Sequence, residues 1–166
     1  MIKQFVKHIA KGLSLVLLLT LIQVPGAQAQ VETGENIVDS ATQFGQIQYF
    51  RTLLEETGLD DELSQDGPFT VFAPTDQAFQ EIENEELQNL LENPDELRNV
   101  LRAHIVNGSM VAEDLAATDN ISTLEGSDFE VTHHEQGISV DEALLVAADI
   151  IATNGVIHAV NTVLMP

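Results

Sequence analysis

The stretch Gly67-Pro68-Phe69-Thr70-Val71-Phe72-Ala73-Pro74-Thr75-Asp76-Gln77-Ala78-Phe79 changes its period half-way along. From Phe69 to Ala73 it is β-branched and aromatic, which suits a pleated, half-buried surface and predicts a strand. Pro74 stops that strand because it has no N–H to give to a ladder. Thr75 then stands where a helix N-cap would be. Asp76 puts an acid against the positive end of the helix dipole, and Ala78, Phe79 and Ile82 recur at helical spacing. A strand therefore hands the chain directly to a helix. Its apolar residues Phe69, Val71, Phe72 and Phe79 are of the kind that fill a core.

Working outward, Ile37, Val38 and Ala41, running to Phe44-Gly45, predict a short amphipathic helix. Ile47, Phe50, Leu53 and Leu54 predict another, closed by Gly58. Downstream, Asn93-Pro94-Asp95-Glu96 reads as an N-cap, a proline at the first helical position and a capping-box glutamate, opening a helix with Leu97, Val100, Leu101 and His104 on one face. From Ile105 the pattern turns to short strands: Ile105–Val106, Ile121–Leu124, Phe129–Thr132, Ile138–Val140, Leu144–Ala147, Ile150–Ala152 and Val156–Asn161. Asn154-Gly155 between two apolar runs predicts a hairpin with a type I′ turn. Helices first and strands later, without βαβ alternation, predict an α+β fold with a largely antiparallel sheet.

Two stretches near opposite ends of this region resemble the signatures of the fasciclin domain family. Residues 67–79 match the first almost residue for residue, and Asn154-Gly155-Val156-Ile157-His158-Ala159-Val160-Asn161-Thr162-Val163-Leu164-Met165-Pro166 is similar to the second. Between them, Leu101-Arg102-Ala103-His104-Ile105-Val106-Asn107-Gly108 stands in the place of the family's central histidine segment. The resemblance covers residues 36–166 and implies a wedge of two β-sheets with several helices packed around it. It further implies a secreted or surface protein serving adhesion and matrix interactions. In animal members a Tyr-His pair in the central segment and an Asp-Ile pair ahead of the second signature are implicated in integrin binding. Asp149-Ile150 matches the second pair, whereas Ala103 replaces the tyrosine before His104. His104, Asp149 and Ile150 are thus the candidate interaction residues. Pro74, Thr75, Asp76, Asn154, Gly155, Val156 and His158 join the four core residues as structural signature.

The charge is divided unevenly. Lys3, Lys7 and Lys11 lie in the first 29 residues, which hold no acid, followed by an apolar run from Leu13 to Ile22 and Ala27-Gln28-Ala29. This reads as a signal peptide over residues 1–29, cleaved after Ala29. The apolar run is about half of what a membrane span needs, and no cysteine follows it for a lipid anchor. A short polar lead, 30–35, and one domain, 36–166, are expected after it. Beyond Ala29 only Arg51, Arg98 and Arg102 oppose 27 acids, a formal charge of −24. Nucleic acid, sulfated polymers and anionic lipid demand a basic patch, so these partners are excluded. With no cysteine, no disulfide contributes to stability.

The candidates for chemistry are few. His104 and His158 fall on apolar faces, where a neutral imidazole hydrogen-bonded to backbone is expected. His133-His134 point to opposite faces of a strand and lack metal-ligand spacing. Asp60-Asp61-Glu62 with Asp66-Gly67 lacks the alternating ligands of a calcium loop, leaving only weak, non-dedicated binding of divalent cations. No G-x-S-x-G, H-E-x-x-H, phosphate-cradling loop or cysteine nucleophile is present. The expectation is an exported, extracellular or periplasmic, non-enzymatic module without cofactor or metal, binding a cell-surface or matrix protein or polysaccharide. A small-ligand or metal carrier built on the histidines is the alternative.

Overall fold

A computed structural model describes residues 31–32, 34–65 and 67–166. Residues 1–29, the stretch expected to be a signal peptide, lie outside the described residues, as do Gln30, Thr33 and Asp66. The elements run β1 (Val31–Glu32), α1 (Ile37–Gln43), α2 (Gln48–Thr57), α3 (Leu59–Leu63), β2 (Phe69–Pro74), α4 (Asp76–Glu81), α5 (Asn84–Glu92), α6 (Pro94–Ala103), β3 (Ile105–Asn107), α7 (Ala112–Ala116), β4 (Asn120–Ser122), β5 (Asp128–His134), β6 (Gly137–Val140), β7 (Ala143–Ala152) and β8 (Gly155–Val160). The α+β class follows, with helices concentrated in the first half.

The strands follow the order β3-β2-β8-β7-β6-β5-β4, with β1 on the far part of β7. Most neighbours are antiparallel, but β2 runs parallel to β8 and β1 parallel to β7. A bridge between Val106 and Thr123 brings β3 back to β4, so the path closes on itself. Phe72, Val106, Ile121, Phe129, Val131, Val140 and Val160 point into the space so enclosed and form one core. The second core lies between the helices and the other face of β2, β7 and β8, with Ile37, Phe50, Leu54, Phe79, Leu101 and Ile157 in it. A mixed sheet folded back on itself, with helices packed on its other face, is the α+β architecture that the resemblance implied.

The decisive stretch behaves as its period predicts. Thr75 Oγ1 accepts from Ala78 N at 3.3 Å and caps α4. Thr75→Ala is expected to lower stability by about 1 kcal/mol; an unchanged urea midpoint would contradict that role. Asp76 does more than complement a dipole. Its Oδ1 accepts from Tyr49 N at 2.7 Å, so it caps α2, whose own N-cap position is Ile47. Gly58 closes α2 in the left-handed region with φ 70°, as expected.

Other expectations need correction. Asn93 does not cap α6 with its side chain, because its amide donates to Asn89 O at 2.7 Å and its N–H to Leu90 O, closing α5 instead. Asn154-Gly155 is not a type I′ turn: the turn is centred on Thr153-Asn154, and Gly155 already pairs with Ala152. The glycine is required by proximity, since a Cβ there would stand 1.9 Å from Phe69 O on the parallel neighbour. Leu144–Ala147 and Ile150–Ala152 belong to one strand, β7, whose register shifts between Ala147 and Ile150 break its pattern. Residues 31–32 of the expected lead supply β1. The arginines tie helices together: Arg98 Nη1 donates to Thr57 O at the end of α2, and Arg102 pairs with Glu62 of α3 at 3.1 Å.

Candidate functional site

His104 ends α6 and is fully buried. Its Nε2 accepts from Leu164 N at 2.9 Å, which obliges Nδ1 to carry the proton and donate to Val100 O at 2.8 Å. The imidazole therefore joins α6 to the C-terminal segment as a neutral ring. Burial pushes its pKa down to about 4, the hydrogen bond to Val100 opposing. His158, on β8, is also fully buried and stacks on Phe72 with ring centroids 5.5 Å apart. Its Nδ1 accepts from Asp149 N at 3.2 Å and its Nε2–H donates to Met110 O at 2.7 Å. Burial lowers its pKa as well, against the contrary pull of the Met110 hydrogen bond and the Asp149 charge.

Asp149 sits in the irregular part of β7 with φ 58°, a conformation that aspartate tolerates better than most residues. Its Oδ1 accepts from Ala112 N at 2.7 Å, at the start of α7. Thr70 completes this arrangement: its hydroxyl donates to Gly108 O at 2.6 Å and accepts from Met110 N at 2.9 Å. Thr70, Asp149 and His158 together hold the connection from β3 to α7 against the sheet. Ile150, the partner of Asp149 in the sequence, is buried in the core under the helices.

Asn154 acts similarly at the other end. Its Oδ1 accepts from Ile37 N at 2.8 Å, its Nδ2 donates to Leu63 O at 2.6 Å, and its backbone carbonyl accepts from Phe69 N. The Asn154 side chain thus ties α1 and α3 to the β7–β8 turn, and its backbone carbonyl ties β2. Val71, Phe72, Pro74, Phe79, Gly155 and Val156 are buried and Phe69 half-buried. His133 and His134 are exposed at the end of β5. Among the described residues no group of three or more His, Asp or Glu could hold a metal, and no helix is long and apolar enough to cross a membrane.

One surface feature had no signal in the sequence. An open groove of about 580 Å³ runs between α2 and the α4–α5 corner, with Tyr49, Phe79, Ile82 and Leu87 along it and Gln80 and Asn84 at its edge. Tyr49 and Phe79 are thirty residues apart, so neither period nor motif links them.

The fasciclin domain model matches residues 45–166. The chain belongs to the fasciclin domain family. This fasciclin domain is 38% identical over 113 residues to the transforming growth factor-beta-induced protein ig-h3 of Sus scrofa, a match covering 68% of the chain and 16% of that protein. It is 34% identical over 130 residues to protein sll1735 of Synechocystis, covering 78% of the chain and 97% of that protein. Thus it spans a small fraction of the ig-h3 relatives and almost all of a bacterial one. A solved FAS1 domain pair from the insect cell adhesion molecule fasciclin I superposes with a TM-score of 0.59 at 21% identity, covering 74% of this chain and 46% of that one. That likeness establishes the fold.

Proposed function

We propose that this fasciclin domain is an exported, non-enzymatic interaction module acting in adhesion or in an extracellular matrix, outside the cell or in the periplasm. Its partner is a cell-surface or matrix protein or a polysaccharide. The observation that carries this reading is the fate of the versatile groups at the centre of the fold. His104, His158 and Asp149 all serve backbone groups, which leaves them committed to holding segments together rather than to proton transfer. A scaffold fixed in this way presents its loops and helix faces in constant geometry, the usual arrangement for recognition. Family membership and the insect cell adhesion molecule that shares the fold support the same reading.

The acidity narrows the partner. With 27 acids against three arginines past Ala29, the field repels polyanions and leaves neutral glycans, proteins and cations. Purified protein is expected to be retained on whole cells or on immobilised extracellular polysaccharide. Passage through every member of a panel of cells, matrix proteins and polysaccharides would overturn the reading.

A further inference from the structure

The groove between α2 and the α4–α5 corner is uncharged in character on a molecule that is otherwise acidic. Tyr49 and Phe79 meet edge to face with centroids 4.8 Å apart, and Ile82 and Leu87 lie half-buried beside them. At the edge, Gln80 and Asn84 are exposed, and among the described residues neither amide, nor the Tyr49 hydroxyl, has a hydrogen-bond partner in the chain. The lining includes one acid, Asp76, and its Oδ1 is already engaged by Tyr49 N. The volume, about 580 Å³, is that of a small-molecule or short-oligomer site.

The occupant follows from these groups. A purely apolar peptide would leave two amides and a phenol unpaired, which costs free energy when they are desolvated. A polyanion meets the repulsion of the whole chain, and the lining holds a single acid, Asp76, rather than the set of carboxylates a dedicated cation site needs. A sugar hydroxyl both donates and accepts, and each amide offers two donors and one acceptor to match. The apolar face of a pyranose ring packs on an aromatic ring with the hydroxyls at its edge, the same division of floor and rim found here.

We propose that this groove binds a neutral oligosaccharide, one sugar ring lying against the half-buried Tyr49, which the buried Phe79 backs edge to face, and its hydroxyls bonded to Gln80 and Asn84. The proposal rests on the interaction-module reading and names its ligand class. Tyr49 is the sole tyrosine of the chain and there is no tryptophan, so tyrosine emission reports this groove alone. The full protein is titrated with glucan, mannan, xylan and galactan oligosaccharides, with alginate oligomers as the anionic comparison. A saturable change in emission is expected with at least one neutral series and none with alginate. Gln80→Ala and Asn84→Ala, both at exposed positions, are each expected to weaken binding by about tenfold. Emission unmoved by all four neutral series, or binding undiminished in both variants, would overturn the groove. If the protein still adheres to cells or matrix in that event, the interaction reading stands and the groove alone falls; if it adheres to nothing, the reading itself falls.

Discussion

Phe72→Ala is expected to lower the free energy of unfolding by about 3–5 kcal/mol. Phe72 is fully buried in the core enclosed by the strands, on β2, which is flanked by β3 and β8. Removing the ring leaves a cavity among the side chains of this core, and β2 cannot shift to fill it because hydrogen bonds hold it to β3 and β8. It also strips one face of His158, which would lose its stacking partner while still needing its bonds to Asp149 N and Met110 O. Since small domains have only about 5–15 kcal/mol in hand, the variant is expected to be marginal or unfolded. Urea denaturation checks this, and a midpoint equal to that of the wild type would show that the core enclosed by the strands is not where the stability resides.

Acid should destabilise the fold through its two buried histidines. His104 is held neutral by burial, with its pKa lowered from 6.5 to about 4, and His158 is lowered in the same direction. Below about pH 6.5 the unfolded chain takes up protons that the folded chain refuses, so stability is complete above that pH and falls as pH decreases towards 4. For His104 alone the loss reaches about 2 kcal/mol by pH 5 and approaches 3 kcal/mol at pH 4. The interval from pH 6.5 to 5 therefore reports on these two buried rings. Protonated His104 also could not accept from Leu164 N, so the C-terminal segment should loosen first. Unfolding midpoints measured across this interval are expected to drop steadily. A flat profile from pH 7 to 5 would mean that the rings are not held neutral.

The parts of the fold that were legible in the sequence are those set by local chemistry. The Phe69–Ala73 strand, the Thr75 cap and the Gly58 terminus each depend on residues within one turn of one another. What escaped was decided by distant partners. No pattern announces that β2 lies parallel to β8, since Phe69 and Gly155 meet only once the chain has folded. Helix α3 was hidden because Leu59–Leu63 is a single turn whose acids, Asp60, Asp61 and Glu62, read as a charge cluster. Two helices compete for Asn93, and the preceding one takes its amide, which the local Asn-Pro-Asp-Glu pattern does not reveal.

The candidate site divides along the same line. Spacing places His104 and His158 on apolar faces, but Leu164, which donates to His104, and Met110, which accepts from His158, are 60 and 48 residues away. Asp149 and Ile150 stand side by side in the chain and part in the structure, the carboxylate going to α7 and the isoleucine into the core. Asn154 was read as a turn residue, yet its side chain reaches Ile37 and Leu63 across the whole domain. The Tyr49–Phe79 groove exists only because Asp76 fixes α2 against α4.

The stretch from Gly67 to Phe79 thus specifies a scaffold, and the proposed function of that scaffold is surface recognition. The most direct test is an equilibrium binding isotherm of the purified protein on envelope and matrix fractions from cells that produce it. The account predicts saturable retention by folded protein at neutral pH, displaced by an excess of unlabelled protein. Protein that stays in solution at every concentration, on every fraction, would contradict it.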